Sequence, residues 1–235
     1  MRLIAEAATT HGGDIGRAKE MVWAAKKAGA DTVKFQHVDP EHFKDGPHYG
    51  WYKRVRFSVD EWKVVKAECE KADIRFLCTP QTIQDFEDLL EVGIDEVKVS
   101  SDNSMNFPLL SRIGSIKIKV IVSLDTLYGK GKNILTVLRA RGLPLRAIRV
   151  LHCVSEYPCV ADNVHIKWAS EVDGFSDHTI GSVAAIMAVA LGARVIEKHF
   201  MLDGSEGPDV GPWACAPPEL KAYFDDIKIA ERMMG

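Results

Sequence analysis

Short runs rich in β-branched residues alternate along this chain with longer stretches whose apolar positions repeat at helical spacing. The first run is Leu3-Ile4-Ala5-Glu6-Ala7, and a stripe of Ile15, Ala18, Val22 and Ala25 follows it, closed by Gly29. Thr32-Val33-Lys34-Phe35-Gln36 forms the second run. After a polar segment, 37–57, the spacing of Ser58 and Glu61 predicts a capping box at the head of a helix carrying Trp62, Val65, Cys69 and Ala72. The third run, Ile74-Arg75-Phe76-Leu77-Cys78-Thr79, leads into a helix with Ile83, Phe86 and Leu90 that stops at Gly93. The fourth, Glu96-Val97-Lys98-Val99-Ser100-Ser101, precedes a short helix near 106–114. Lys119-Val120-Ile121-Val122-Ser123 is the fifth, with a helix near 131–141. Ile148-Arg149-Val150-Leu151-His152-Cys153 is the sixth, with a weaker helix over about 163–171. Val172-Asp173-Gly174-Phe175-Ser176-Asp177 is the seventh, and its helix near 181–191 is so rich in alanine and valine that it reads as buried. Val195-Ile196-Glu197-Lys198-His199-Phe200 is the eighth, and a last helix opens at Pro217-Pro218, where proline is tolerated.

Eight strand–helix units over 235 residues average about 29 residues each, the size of one βα repeat. Strict alternation predicts parallel pairing through right-handed crossovers, and eight units close into a (β/α)8 TIM barrel. The competing open, doubly wound sheet usually carries a Gly-rich phosphate loop after its first strand. Here that turn is Thr9-Thr10-His11-Gly12-Gly13. Nothing resembling a linker divides the chain, so one barrel domain spanning 1–235 is expected.

Composition narrows the function. Apolar residues make up 46% of the chain and charged residues 27%, which excludes wholesale disorder. With 30 basic against 33 acidic residues there is no electrostatic footprint for nucleic acid. No apolar run approaches the length of a membrane span, and Glu6 comes too early for a secretory signal. The 5 cysteines include no Cys-x-x-Cys pair, so neither a zinc ribbon nor a disulfide scaffold is expected. A cytoplasmic location is the resulting expectation.

Barrels place their chemistry at the C-terminal ends of their strands, and the polar residues gather there. Glu6 lies on strand one, Lys34 and Gln36 share a face of strand two, and Thr79 ends strand three. Lys98 and Ser101 lie on strand four, and Ser123 ends strand five. Ser155 and Tyr157 follow strand six, Ser176 and His178 close strand seven, and Glu197 and His199 lie on strand eight. Any one of these taken alone is a satisfied rim or capping group. Together, two lysines and several hydroxyls on one mouth suit a phosphate or carboxylate, and burying the lysines without an anion would be costly. His178 and His199 end adjacent strands and could share a divalent metal. Asp209, within Gly204-Ser205-Glu206-Gly207-Pro208-Asp209-Val210-Gly211, is a candidate carried by a lid. Segment 37–57, with Tyr49, Trp51 and Tyr52, is a second lid candidate. His37, His42, His48 and His165 are placed on loops or helices without a role.

Several ordered motifs resemble the sialic acid synthase family. They are Ile4-Ala5-Glu6 with His11 and Gly13, Val33-Lys34-Phe35-Gln36, Cys78-Thr79-Pro80, Leu151-His152-Cys153 with Tyr157-Pro158, Gly174-Phe175-Ser176-Asp177-His178-Thr179, Glu197-Lys198-His199-Phe200 and Gly207-Pro208-Asp209. The resemblance implies a (β/α)8 barrel that condenses phosphoenolpyruvate with an aldehyde sugar, using a divalent metal such as Mn²⁺. Its products are a 2-keto-3-deoxy sugar acid and phosphate. By the same resemblance His178 and His199 hold the metal. Lys34, Gln36, Thr79, Lys98, Ser101, Ser123 and Ser176 hold phosphoenolpyruvate, and Glu6 is the proton-transfer group. Ser155, Tyr157 and Asp209 complete the candidate substrate contacts, and a homodimer is implied.

Departures from the family pattern fall on the sugar side. Ala8 and Thr10 stand where glycine and asparagine are usual, Asn103 where a sugar-binding glutamate is usual, and Ser155 where an asparagine is usual. The acceptor is therefore expected to differ from N-acetylmannosamine. By the same resemblance the family's small C-terminal antifreeze-like domain has no counterpart before Gly235, so either loops 37–57 and 203–216 serve as the lid or the site is left open. A metal-dependent aldolase, a sugar-phosphate isomerase and a non-catalytic ligand-binding barrel are the alternatives.

Overall fold

The computed structural model describes residues 1–125 and 131–235, with no account of side chains over 131–135. Eight parallel strands form a nearly closed barrel: β1 (Arg2–Ala8), β2 (Thr32–His37), β3 (Arg75–Pro80), β4 (Glu96–Val99), β5 (Lys119–Asp125), β6 (Ile148–Cys153), β7 (Gly174–Asp177) and β8 (Val195–His199). Their order is β3-β2-β1-β8-β7-β6-β5-β4, and β3 meets β4 without a regular ladder. Helices α1 (Ile15–Ala28), α2 (Tyr49–Val55), α3 (Val59–Lys71), α4 (Ile83–Val92), α5 (Phe107–Ile116), α6 (Gly131–Ala140) and α7 (Val183–Ala190) lie between the strands in sequence, and α8 (Pro217–Met233) follows β8. Among the described residues no helix is long and apolar enough to cross a membrane.

Local signals start and stop these elements. Asp14 accepts a hydrogen bond from the Arg17 amide at the head of α1, and Gly29 ends that helix at φ 93°. The capping box of Ser58 and Glu61 forms on α3. A second box, Thr82 with Asp85, opens α4. Segment 37–57, a lid candidate, contains a 3-10 turn (Pro40–Phe43) and α2. One expectation is corrected. The weak helix after β6 is two 3-10 pieces, Ala161–Asn163 and Ile166–Glu171. His165, between them, adopts φ 46°, which interrupts a continuous α-helix there.

Alternation along the strands builds the interior in layers. Ile4, Leu77, Ile121, Leu151 and Val195 form an apolar plug. Two residues further along the same strands stand Glu6 on β1, Ser123 on β5, Cys153 on β6 and Glu197 on β8. The plug thus floors a polar layer at the C-terminal mouth. Leu3, Ala5, Phe35, Phe175 and Ile196 point the other way, into the larger core beneath the helices.

Gly174 marks the tightest point of this packing. A Cβ there would lie 2.1 Å from the Val195 carbonyl oxygen and 2.9 Å from Leu151 Cδ2. Gly174→Ala must push β7 away from β8, and we expect a loss of about 2–3 kcal/mol in denaturant unfolding. A change under 0.5 kcal/mol, on the order of an ordinary surface substitution, would show that the strands separate freely.

Candidate active site

Four charged side chains share the polar layer, each at most 4% exposed: Glu6, Lys34, Lys98 and Glu197. The Lys34 ammonium lies 2.6 Å from Glu6 Oε2 and 3.4 Å from Glu197 Oε1. Lys98 Nζ lies 3.9 Å from Glu197 Oε1 and donates to Ser123 Oγ (2.7 Å) and the Val99 carbonyl (3.1 Å). Ser176 Oγ donates to Glu197 Oε1 at 2.8 Å, Lys34 donates to Thr79 Oγ1 at 3.4 Å, and Gln36 Nε2 reaches Glu6 Oε1 at 3.5 Å.

Burial and mutual charge set the protonation states. Burial pushes the Glu6 carboxyl up to about 7 despite its pairing with Lys34. Burial alone would also raise Glu197, but Lys34, Lys98 and the Ser176 bond outweigh it and hold Glu197 near about 2. Burial lowers Lys98 to about 8, partly offset by Glu197. For Lys34 the two carboxylates outweigh burial, and its affinity for the proton rises. The layer therefore offers a carboxyl poised near neutrality beside two cations.

His178 and His199 flank the layer with ring centroids 5.5 Å apart. Burial depresses both: His178 to about 4 and His199 well below its ordinary value, so each is a neutral imidazole. His178 Nδ1 donates to the Val154 carbonyl at 2.6 Å, which leaves its Nε2 lone pair available. His199 Nδ1 is buried without a hydrogen-bond partner among the described residues. Two neutral imidazoles, one oriented by a backbone carbonyl and one with an orphaned ring nitrogen, fit a divalent cation.

A second group also has metal-ligand proximity. Ligand atoms of His37, Asp85 and Asp88 all lie within 4.8 Å of one another. Hydrogen bonding decides against a metal there. His37 Nδ1 accepts from Trp62 Nε1 (2.9 Å), so Nε2 carries the proton and donates to Asp88 (3.0 Å). Arg56 already pairs with Asp85 and Asp88, and Asp85 Oδ2 accepts from the amides of Asp39, Gln81 and Thr82. His37 is thus the buried last residue of β2 in a structural network, which corrects its placement on a loop.

The remaining predicted residues sit on the rim. Ser101 and Ser155 hydrogen-bond to each other at 2.9 Å, and the Ser155 amide donates to Asp125 at 3.1 Å. The Tyr157 ring packs on His178 with centroids 4.1 Å apart. Asp209 Oδ2 accepts from Thr9 Oγ1 (2.7 Å), and Trp51 Nε1 donates to the same hydroxyl (2.9 Å). Loop 203–216 and α2 therefore meet over β1. Arg54 stacks on Trp51 and pairs with Glu206, and Gly207 lies so close to Trp51 that a Cβ would fall 2.3 Å from the indole.

Glu197 is named at the mouth in the sequence but given no role there, and Trp213 is not named at all. Glu197 shares a strand face with His199 at i, i+2, a signal present in the sequence. Trp213 lies 5.7 Å from the Tyr157 ring with its Nε1 buried and without a hydrogen-bond partner among the described residues, and only the folded loop reveals that.

A family model described as the NeuB family matches residues 21–235. This chain belongs to the NeuB family. It is 35% identical to an uncharacterized protein of Methanocaldococcus jannaschii, over 99% of this chain and 72% of that one. It is 33% identical to N,N'-diacetyllegionaminic acid synthase of Campylobacter jejuni, over 99% of this chain and 77% of that one. Among solved structures, an N-acetylneuraminic acid synthetase from Leptospira borgpetersenii superposes with a TM-score of 0.89 at 28% identity, covering 99% of this chain and 84% of that one. The family's named relatives are synthases, consistent with an enzyme.

Asp88→Asn tests the division between the two clusters. It removes the charge that pairs with Arg56 and leaves one acceptor oxygen where His37, Arg56 and Gln84 now share two, and we expect about 1–2 kcal/mol lower stability with unchanged bound metal. Loss of metal from this variant, measured by elemental analysis, would place the metal at His37 instead.

Proposed function

We propose that this NeuB-family protein condenses phosphoenolpyruvate with an aldehyde sugar, releasing inorganic phosphate and a 2-keto-3-deoxy sugar acid. The observation that carries this reading is the placement of two buried lysines and two neutral histidines in one barrel mouth. Buried ammoniums suit the phosphate and carboxylate of phosphoenolpyruvate, which stay charged through the reaction. Ser123, Ser176, Thr79, Gln36 and Ser101 supply neutral polar contacts around the same anion, and Ser155, Tyr157 and Asp209 face the acceptor. A divalent cation such as Mn²⁺ on His178 and His199 would polarise the aldehyde oxygen.

Within this reading Glu6 handles the proton. Its carboxyl is pushed up to about 7, so both protonation states are accessible near neutral pH. As carbon 3 of phosphoenolpyruvate bonds to the aldehyde carbon, Glu6 gives its proton to the aldehyde oxygen. The resulting carboxylate accepts a proton from the water that adds at carbon 2. The carbon 2 hydroxyl then gives its proton to the departing phosphate as the bond from carbon 2 to the bridging oxygen breaks, so carbon 2 becomes the ketone and phosphate leaves with that oxygen.

The acceptor is proposed to differ from N-acetylmannosamine. Asn103 is buried within its own loop, donating to Gln81 Oε1 at 2.6 Å and accepting from Asn106 at 3.0 Å. Its side chain is committed to Asn106 of its own loop and to Gln81 in the turn after β3, rather than offered to a sugar. An alternative aldolase or isomerase reaction would need no phosphoenolpyruvate.

Purified protein with Mn²⁺, phosphoenolpyruvate and a panel of aldehyde sugars should release phosphate only when the right aldehyde is present. His199→Ala should lower that rate more than about a hundredfold with a near-normal melting temperature. Cleavage or isomerisation of a sugar phosphate, with no phosphate release from phosphoenolpyruvate, would contradict the proposal.

A further inference from the structure

Glu197 is not among the residues given a binding role above, yet it holds the centre of the charged layer. Its Oε1 accepts from Ser176 Oγ at 2.8 Å and lies 3.4 Å from Lys34 Nζ and 3.9 Å from Lys98 Nζ. Those are three of the groups proposed to hold the substrate anion. One carboxylate oxygen therefore sits against the donor set that the anion needs.

Its second oxygen is stranded. Glu197 Oε2 is buried with no hydrogen-bond partner among the described residues. The neighbouring strand supplies a contrast in Asp177, also fully buried. Asp177 Oδ1 accepts from the amide and hydroxyl of Thr179, and Oδ2 accepts from Tyr223 OH (2.7 Å) and lies 3.4 Å from Lys198 Nζ. Asp177 shows how this fold satisfies a carboxylate whose task is structural. Glu197 crowds its bonds onto one oxygen and leaves the other desolvated, at a cost that a purely structural group would not retain.

We propose that Glu197 is an internal stand-in for the substrate anion: it neutralises Lys34 and Lys98 while the site is empty and competes with the anion for them. Without Glu197, Lys34 would keep its pair with Glu6, while Lys98 would lose its one carboxylate partner among the described residues. With it they remain paired and ordered, and an entering anion must displace its carboxylate from them. Glu197 is thus a positioning residue that weakens ground-state anion binding. This inference rests on the anion site of the proposed function, but it needs no particular acceptor.

The test compares wild type, Glu197→Gln and Glu197→Asp by calorimetric titration with inorganic phosphate and, separately, with phosphoenolpyruvate. Glutamine keeps the shape and can accept from Ser176 while removing the charge, so phosphate affinity should rise about tenfold. Aspartate withdraws the charge by one methylene and should give a smaller rise. It also decides the matter if the glutamine variant fails to fold. The glutamine variant should melt lower without anion, and phosphate should raise its melting temperature by more than it raises that of wild type. A purely structural role predicts a lower melting temperature with unchanged or weaker phosphate binding, and that result overturns the inference. Failure of phosphate to bind any of the three proteins overturns it too. Phosphate binding without phosphoenolpyruvate binding would sink the proposed reaction instead, and the phosphate comparison would still decide the role of Glu197.

Discussion

The site is organised around a constraint of electrostatics: two ammoniums and two carboxylates lie almost wholly out of water inside one barrel. Removing an ion from water is expensive, and mutual pairing repays that cost only when the geometry is close. Lys34 bridges Glu6 and Glu197, while Lys98 leans on Glu197 and Ser123. Removing any one member would leave an uncompensated charge in the interior. The quartet is formally neutral when all four groups are charged. An anion that enters it must therefore change its balance, and a carboxyl poised near neutrality provides one place for that change to go.

Parallel pairing delivers these groups to adjacent levels, Glu197 lying opposite Ile4, two residues before Glu6 on β1. Glu6 lies level with Lys34 on β2 and with His199 on β8, while Ser176 pairs with Glu197. Because side chains alternate, the residue two positions earlier on several of these strands belongs to the apolar plug. The plug closes the floor, and Trp51, Gly207, Asp209 and Thr9 tie the upper loops over one side. Chemistry is thereby confined to a mouth whose walls are backbone-paired strands, the rigid support that a preorganised site needs.

Much of this could be read from sequence because the signals were local. Eight β-branched runs, the Ser58–Glu61 box and Gly29 each act within a few residues, and the barrel follows from their count. The motifs around Lys34, His178 and His199 likewise name the mouth. What escaped depends on distant partners. The tautomer of His37 is set by Trp62 and Asp88, which lie 25 and 51 residues away. Trp213 becomes a wall of the site only because Tyr157 folds against it. The 3-10 pieces after β6 break at His165, whose left-handed backbone its residue type does not announce. Glu197 was readable by its strand face, but its three-way contact with Lys34, Lys98 and Ser176 exists only in the closed barrel.

The central claim is that one mouth holds both an anion on the lysines and a metal on the histidines. A crystal structure of the protein with phosphoenolpyruvate and Mn²⁺, using anomalous scattering to locate the metal, tests it most directly. The account predicts a manganese peak between His178 and His199, with the phosphoenolpyruvate anion contacting Lys34 and Lys98. Manganese at His37, Asp85 and Asp88, or phosphoenolpyruvate bound away from the lysines, would contradict it.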